Sequence, residues 1–353
     1  MFSVSIATVL LLVSIVVYVG YKMKTMKSID RIALETKIWL PINKFYCMIG
    51  LMERMRPKEN HIITGNNGVT IPVPFPDWGV VTKEFYKFEI RENDIIVSTH
   101  PKAGTTWMQE ITWLICHNAD TITSKESRID LRVPFYEYVD PYNYPTGSKC
   151  LEDWPTDKQR IIKTHVPFDL LPKEFQQKRK GKMIYVARNA KDVCVSFHHF
   201  LSINPTVTPP GTWAEFFQKY CTGDVPYGSW FSHVLQYWKK YEEQGNEKYI
   251  YFTTYETLKQ DLRGEVAKIS KFLGKDLTDQ QMDIIADHCT MDNMRNNKST
   301  SNLHLIDPKQ GKFMRKGQVG DWKNHFTLNQ NEAFDEMYEE RMKGSDLQIP
   351  FEI

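Results

Sequence analysis

Residues 94–111 of this chain read DIIVSTHPKAGTTWMQEI. The stretch begins with three β-branched residues, Ile95 to Val97, which is typical of a buried parallel strand. Pro101 ends that strand, because proline has no N–H to donate to a ladder. Apolar residues then recur at positions 107, 108, 111 and 114, which is helical spacing. The stretch therefore predicts a strand, a tight loop and a helix.

The predicted loop has the chemistry of a phosphate cradle. Backbone N–H groups and the positive end of the helix dipole point into such a loop. Gly104 lets the backbone approach a ligand, Thr105 and Thr106 add hydroxyl donors, and Lys102 adds a cation. The lysine precedes the glycine by two residues, so the G-x-x-x-x-G-K-[ST] order of nucleoside triphosphatases is absent, as is a magnesium-binding pattern. An ordinary strand-to-helix turn with a chance lysine is the alternative interpretation.

Three other stretches support phosphate binding. Residues 183–192, MIYVARNAKD, predict a strand that runs into a basic turn, and residues 313–324, FMRKGQVGDWKN, form a basic loop with two glycines. Residues 160–167, RIIKTHVP, predict a short strand with His165 at its carboxyl end, where open α/β sheets bind ligands. A lone histidine is usually structural, but Lys163 shares its side of the strand.

Together these stretches resemble the cytosolic-type sulfotransferases that use 3′-phosphoadenosine 5′-phosphosulfate (PAPS). The motifs occur in the family's order between residues 70 and 350, and RKGxxGDWKNxFT, matched from Arg315 to Thr327, is the most specific. The resemblance implies a single α/β domain, P-loop-like, with a central parallel sheet flanked by helices. It also implies transfer of a sulfuryl group from PAPS, the co-substrate, to a hydroxyl or amine, without a metal.

The resemblance also implies roles for individual residues. His165 is the expected general base, Lys102 would stabilise the leaving oxygen, and Lys163 would stabilise the sulfuryl group. The implied nucleotide-binding residues are Lys102, Ala103, Gly104, Thr105, Thr106, Trp107, Arg188, Ser196, Tyr255, Cys289, Thr290, Met291, Met294, Phe313, Met314, Arg315, Lys316 and Gly317. The implied acceptor pocket consists of Phe135, Lys163, His165, Phe197 and Phe200.

The chain departs from the family pattern at several positions. Ala103 replaces a serine of the loop, and Cys289 and Met291 alter a segment that usually reads Thr-Ser-Phe-x-x-Met around the adenine. Residues 298–309 lack the pattern K-x-x-x-T-V-x-x-x-E through which family members dimerise, so a homodimer is left open. His198 and His199 do not predict a metal site, because adjacent helical positions diverge too far to share one ion.

Composition limits the class of protein. The chain has 353 residues, of which 41% are hydrophobic and 25% charged, and its net charge is +2. This balance suits one large globular domain and gives no overall basic field of the kind that binds nucleic acid. The six cysteines are scattered, without metal-ligand spacing, which predicts reduced thiols rather than a disulfide framework.

The amino terminus predicts a membrane segment. Residues 2–20 carry no charge, about 20 apolar residues span a bilayer, and three lysines follow by residue 27. The positive-inside rule then places the rest of the chain in the cytosol. A signal peptide or a wrongly assigned start are the alternatives. We therefore divide the chain into a hydrophobic segment, 1–27, a stem, 28–70, and a sulfotransferase domain, 71–353.

Two rival functions remain open from the sequence. One is a nucleotide kinase or triphosphatase, against which the loop order and the missing magnesium carboxylate both count. The other is a membrane-tethered nucleotide-binding protein that has kept the fold without turnover. The aromatic pocket predicts a phenol, steroid, other alcohol or arylamine as the acceptor and does not choose among them.

Overall fold

The computed structural model describes residues 61–64, 70–73, 88–137, 147–205, 207–246, 248–302 and 305–353. Within these ranges, no helix is long and apolar enough to cross a bilayer. The predicted hydrophobic helix over residues 2–20 and most of the predicted stem lie outside the described residues, so both stay predictions.

The strands form two sheets. Strands β1 (His61–Thr64) and β2 (Thr70–Val73) pair antiparallel, and this hairpin spans the predicted domain boundary at residue 70. The central sheet is parallel and has the order β4-β3-β5-β6. Its strands are β3 (Ile95–Thr99), β4 (Ile161–Thr164), β5 (Lys182–Ala187) and β6 (Ile250–Thr254). The predicted central parallel sheet is therefore confirmed.

Helices fill most of the rest of the described chain, with short 3-10 turns at Phe168–Leu170 and Asp321–Asn324. They are α1 (Thr105–Cys116), α2 (Thr123–Glu126), α3 (Ile129–Arg132), α4 (Gly147–Glu152), α5 (Lys173–Lys178), α6 (Ala190–Ile203), α7 (Trp213–Thr222), α8 (Trp230–Glu243), α9 (Tyr255–Gln260), α10 (Leu262–Leu273), α11 (Asp279–His288), α12 (Met291–Asn296) and α13 (Leu328–Met342).

The two faces of the sheet bury different apolar clusters. All residues of β3 are buried, and they alternate between the faces as strand geometry requires. Ile96 belongs to the cluster that holds Tyr185 and Tyr237, whereas Val97 belongs to the cluster that holds Ile111. The register pairs Val97 with Lys163 on one side and with Ile184 on the other. This register brings the carboxyl ends of the strands to one edge, where the predicted loops meet.

The structure corrects several predicted boundaries. Strand β3 ends at Thr99, two residues before Pro101, and α1 begins at Thr105 instead of position 107. Alternation along residues 85–91 predicts an edge strand, and this prediction is wrong for residues 88–91, which are irregular. The aromatic-rich stretch from residue 213 to 241 predicts a helical region, which the structure breaks between α7 and α8, where Gly223 and Gly228 both have positive φ. Cys116, Cys194, Cys221 and Cys289 are free thiols.

Candidate active site

The loop between β3 and α1 is built around Gly104. This glycine has a φ of 107° and caps α1, and a Cβ placed there would lie 2.9 Å from Cδ2 of Tyr255. Among the described residues, no side chain caps this end of the helix. The first N–H groups of α1, on the buried residues Thr105 and Thr106, therefore remain for a ligand.

Lys102 lies in this loop between two aromatic rings. Its Nζ is 4.3 Å from the ring centroid of Phe200 and 4.0 Å from that of Phe313. The two rings meet edge to face at 5.8 Å between centroids. Burial lowers the pKa of Lys102 to about 7, with the charges of Lys163 and Arg188 acting in the same direction. The lysine thus connects a predicted acceptor residue with a predicted nucleotide-binding residue.

His165 follows β4 and is held by Thr99 of β3. Its Nδ1 lies 2.8 Å from the carbonyl oxygen of Thr99 and 3.2 Å from the hydroxyl of the same residue. A ring nitrogen against a carbonyl oxygen must donate, so Nδ1 carries the proton and the neutral ring keeps its lone pair on Nε2. Burial holds the pKa of His165 well below its usual range, and Lys163 adds to this. The ring of His165 is therefore neutral near pH 7.

Aromatic rings surround the histidine. Phe135 and Tyr227 each approach the ring of His165 edge to face, at centroid distances of 5.2 and 5.3 Å. The Nζ of Lys163 lies over the ring of Phe135, 3.9 Å from its centroid. Phe197, predicted for the same pocket, is instead packed in the core against His100 and Phe216.

Arg188 contacts two loops: the predicted phosphate loop between β3 and α1, and the basic loop of residues 313–324, called here the glycine-rich loop. It follows β5, and its guanidinium lies 4.2 Å from the ring centroid of Tyr255. Nη2 donates to the carbonyl of Gln318 at 3.0 Å, and Nη1 lies 3.5 Å from the carbonyl of Lys102. Ser196 is half-buried on α6, two turns along the helix that follows Arg188.

Arg315 and Lys316 both contact one buried carboxylate. Asp321 receives Nη1 of Arg315 at 2.5 Å and Nζ of Lys316 at 2.6 Å. Burial by itself would raise the pKa of Asp321, but hydrogen bonds from Lys316, Asn324 and Arg315 outweigh it and hold that pKa below its usual range. Two cations are thus fixed at the glycine-rich loop.

The predicted adenine residues also meet. Trp107 contacts Tyr255 edge to face at 5.2 Å and donates from Nε1 to the carbonyl of Cys289 at 2.7 Å. Thr290 caps α12 by accepting from Asn293 N, and Met294 is buried. Met291 fills the space beside Gly317, so that a Cβ added to Gly317 would clash with the Met291 side chain. Arg295, which the sequence did not single out, donates to the carbonyls of Met314 and Lys316 at 3.4 and 3.0 Å.

These features fit an anionic adenine nucleotide. The uncapped end of α1 offers N–H groups, Trp107 and Tyr255 offer aromatic surface, and Arg188 and Arg315 each have a buried Nε without a hydrogen-bond partner among the described residues. Buried polar groups are normally paired. A phosphate would satisfy guanidinium nitrogens of this kind at two converging loops.

Sequence reasoning missed the groups that fix this arrangement. Asp192 accepts from Gly320 N at 2.9 Å and from Trp322 N at 3.0 Å, so it anchors the glycine-rich loop to α6. Its spacing of three from Asn189, which caps the helix, was a usable signal. Glu137 and Tyr227 had no such signal, because their contacts with the histidine come from distant parts of the chain.

The sulfotransferase domain pattern matches residues 92–346, well over half of the chain. The chain belongs to the sulfotransferase family. Sulfotransferase 1B1 of Canis lupus familiaris is 43% identical to this sulfotransferase over 271 residues, covering 76% of this chain and 89% of the relative. Sulfotransferase 1E1 of Homo sapiens is 42% identical over 270 residues, covering 75% of this chain and 89% of the relative.

Solved structures agree with this membership. Mouse sulfotransferase SULT7A1, whose crystal structure is complexed with PAP (adenosine 3′,5′-bisphosphate), is 32% identical in sequence to this chain and has a TM-score of 0.63. The match covers 83% of this chain and 95% of the mouse chain. Retinol dehydratase in a complex with retinol and PAP has a TM-score of 0.71 at 24% identity, with coverage of 81% and 91%, and shows the shared fold alone. The chain is a PAPS-dependent sulfotransferase, and the kinase alternative is set aside.

Proposed function

We propose that this sulfotransferase transfers the sulfuryl group of PAPS to a hydroxyl or amine of a small, largely apolar acceptor, with His165 as the general base. The observation that carries the proposal is the bond from Nδ1 of His165 to the Thr99 carbonyl, at 2.8 Å. This bond leaves the lone pair on Nε2, where a neutral imidazole accepts a proton from an acceptor hydroxyl.

The lysines supply the charge that the reaction needs. PAPS provides the sulfuryl group and leaves as adenosine 3′,5′-bisphosphate (PAP). Negative charge builds on the sulfuryl oxygens and the leaving oxygen, and fixed cations lower that barrier. Lys163 is beside His165 and serves the sulfuryl oxygens, whereas Lys102 is in the phosphate loop and serves the leaving oxygen. His165 takes the acceptor proton as the new bond to sulfur forms.

The nucleotide is proposed to lie across the two loops. Thr105, Thr106 and the first N–H groups of α1 hold the 5′-phosphate, and Trp107 stacks on the adenine. The buried Nε atoms of Arg188 and Arg315, which lack partners in the described part of the chain, support the 3′-phosphate assignment, because arginine forks suit phosphate oxygens. The remaining members of this proposed site are Ala103, Gly104, Ser196, Tyr255, Cys289, Thr290, Met291, Met294, Phe313, Met314, Lys316 and Gly317.

The acceptor pocket is proposed to be apolar because aromatic rings face the base. Phe135 and Phe200 are both partly exposed beside the two lysines, which supports their assignment. Phe197 is 2% exposed and contributes as the packing behind that wall. A phenol, steroid, other alcohol or arylamine fits such a wall.

Sulfate transfer from radiolabelled PAPS by the full chain, in detergent, tests the proposal across phenols, sterols, aliphatic alcohols and arylamines. We expect turnover on at least one class, and His165→Ala is expected to lower kcat by about 10²- to 10⁴-fold while PAP still binds. Tight PAP binding without turnover on any class would favour the nucleotide-binding protein without activity.

We further propose that residues 2–20 anchor the protein in a membrane, with the sulfotransferase domain facing the cytosol. The uncharged run and the lysines that follow it support this. Carbonate extraction of membranes from cells that express the full chain is the test. The full chain is expected in the pellet, and release into the carbonate wash would contradict an anchor.

A further inference from the structure

Glu137 is a buried carboxylate directly behind the proposed base. It is 5% exposed, and both of its oxygens accept hydrogen bonds. Oε1 accepts from the backbone N–H of His165 at 2.6 Å, and Oε2 accepts from the hydroxyl of Thr164 at 2.8 Å. Tyr227 and Lys163 are both close enough to this carboxyl to interact with its charge.

The carboxylate takes a place that a backbone carbonyl would normally fill. The segment before it pairs with β4 as a fragment of parallel strand: Lys163 N donates to the carbonyl of Pro134 at 2.9 Å, and Tyr136 N donates to the carbonyl of Lys163 at 2.8 Å. The next N–H on the same side of this chain segment belongs to His165, one residue after β4 ends. It donates to the Glu137 side chain and not to a backbone carbonyl. A buried N–H is costly to leave unpaired, so this bond to the carboxylate fixes the position of the His165 backbone at the end of β4.

We propose that Glu137 is a positioning residue for sulfuryl transfer, which holds His165 in register and places a carboxyl group close to Lys163. This inference rests on the proposed roles of His165 and Lys163. The same carboxyl lies close to Tyr227 and directly follows the short strand that contains Phe135, and both rings lie edge to face on the histidine. In this proposal, one side chain helps to position the base His165, the lysine Lys163 and the two aromatic rings beside them.

The electrostatics of the pair support this role. Burial lowers the pKa of Lys163, and the charge of Glu137 opposes that change. Burial also raises the pKa of Glu137, against hydrogen bonds from the His165 N–H and Thr164. Other charged or titratable groups that act on this pair include Asp130, His165, Tyr227, Tyr237 and Lys102.

Glu137→Gln in the full chain tests the proposal, with Glu265→Gln as the matched control. Glu265 is also buried, at 2% exposure, and it accepts from the hydroxyls of Thr253 and Tyr251 at 2.8 and 3.0 Å on β6. It also pairs with a lysine, Lys268, at 2.8 Å. The control therefore loses the same charge in a similar setting, and Glu265 has no place in the proposed catalytic or binding machinery.

We expect Glu137→Gln to lower kcat by about 10- to 100-fold, by analogy with residues that orient catalytic ligands, while the KM for PAPS and the Kd for PAP stay unchanged. The alkaline limb of the kcat profile should move to lower pH, because Lys163 loses the charge that favours its protonated form. Lys102 does not account for such a shift, because no cause of its depressed pKa involves Glu137.

Several outcomes would overturn the inference. A wild-type kcat and pH profile in Glu137→Gln would do so, as would an equal change in Glu265→Gln. If Glu137→Gln does not fold, Thr164→Val removes one donor to the same carboxyl without changing side-chain volume, and the same limb shift in a folded variant supports the role whereas a wild-type profile refutes it. Full turnover in His165→Ala would instead show that the proposed function has failed.

Discussion

Lys102 lies between the proposed acceptor pocket and the proposed nucleotide site. Lys102 contacts Phe200, which is proposed for the acceptor pocket, and Phe313, which is proposed for the nucleotide site. A lysine over an aromatic face keeps its charge at lower cost than one in a purely aliphatic site, because the ring quadrupole attracts the cation. The two rings therefore hold the ammonium group inside the site while burial lowers its pKa to about 7.

Removing that charge should slow the chemical step more than nucleotide binding. We expect Lys102→Gln to lower kcat by about 10²- to 10³-fold, as removal of one transition-state donor does elsewhere. The Kd for PAP, measured by calorimetry, should change much less. Lys178→Gln is the control, since that lysine side chain is 64% exposed on α5. A kcat within about threefold of wild type would remove Lys102 from the proposed mechanism.

The depressed pKa of His165 should move the acid side of the pH–activity profile to an unusually low pH. Burial and the charge of Lys163 favour the neutral form of His165, so the base stays competent below the ordinary histidine pKa of about 6.5. We expect kcat/KM for the acceptor to decline only below that pH, and the limb to vanish from the residual rate of His165→Ala. Enzyme returned to pH 7 after each exposure serves as the control. A limb at or above pH 6.5 would contradict a depressed pKa.

At the scale of an element, the phosphate loop depends on Gly104 for both conformation and space. The left-handed φ of 107° costs an L-residue about 1–2 kcal/mol, and a Cβ would also press on Tyr255 at 2.9 Å. Gly274, at the end of α10, has a φ of 72°, and a Cβ added there would have nothing within 4 Å. A substitution at Gly274 therefore tests backbone strain alone, whereas one at Gly104 tests strain together with a steric clash.

Alanine at both positions gives the comparison. Both variants should lose about 1–2 kcal/mol of unfolding free energy from strain, and Gly104→Ala should lose more. Only Gly104→Ala should weaken PAP binding, by about tenfold or more, because Tyr255 and the loop must move. Urea unfolding and calorimetry measure the two effects. Equal PAP affinity in the two variants would show that the loop tolerates the shift.

Local signals predicted the elements, and long-range contacts decided their ends. Pro101 was expected to stop β3, yet the strand ends at Thr99, whose carbonyl accepts from His165 across the sheet. The basic turn predicted up to residue 192 places the next helix from about Val193, yet α6 begins at Ala190, because Asn189 caps it by accepting from Asp192 N. The first difference needed a partner 66 residues away, whereas the second followed from a spacing visible in the sequence.

The candidate site shows the same division. The loop lysine, the strand-end histidine and the basic glycine-rich loop were predicted from chemistry and family resemblance, and the fold brings them to one edge of the sheet. Tyr227 and Glu137 were not predicted. Tyr227 reaches the histidine through the break between α7 and α8, and its own φ is positive. Neither residue type nor periodicity signals such a contact.

At the scale of the whole molecule, a buried polar chain links the site to the core. His233 donates from Nε2 to the carbonyl of His165 at 2.9 Å, and its Nδ1 contacts the hydroxyl of Tyr185 at 2.8 Å. Burial lowers the pKa of His233 to about 3, with the charge of His100 acting in the same direction. Burial lowers the pKa of His100 itself to about 4. These histidines are neutral in the folded protein across the physiological range.

Because these histidines are buried in their neutral form, they lower the free energy of unfolding as the pH falls. In the unfolded chain a histidine binds a proton below about pH 6.5, whereas folded His233 stays neutral down to about pH 3. The unfolded state therefore binds more protons in this window, and the contribution of His233 to stability is complete above pH 6.5 and is lost as the pH falls. Glu137, whose pKa burial raises, acts in the opposite direction, so the total slope is smaller than the histidines alone would give.

His233→Gln isolates one group from this total. At pH 8 the variant should be less stable than wild type by about 1–2 kcal/mol, because two buried hydrogen bonds are disturbed. Below pH 6 the gap should narrow by about 1.4 kcal/mol per pH unit, since glutamine has no proton to bind in the unfolded chain. Urea unfolding at pH 8, 7, 6 and 5 measures the gap, with pH 8 as the internal reference. Parallel stability curves would mean that His233 titrates alike in both states, and the buried chain would then have no part in the acid sensitivity of the fold.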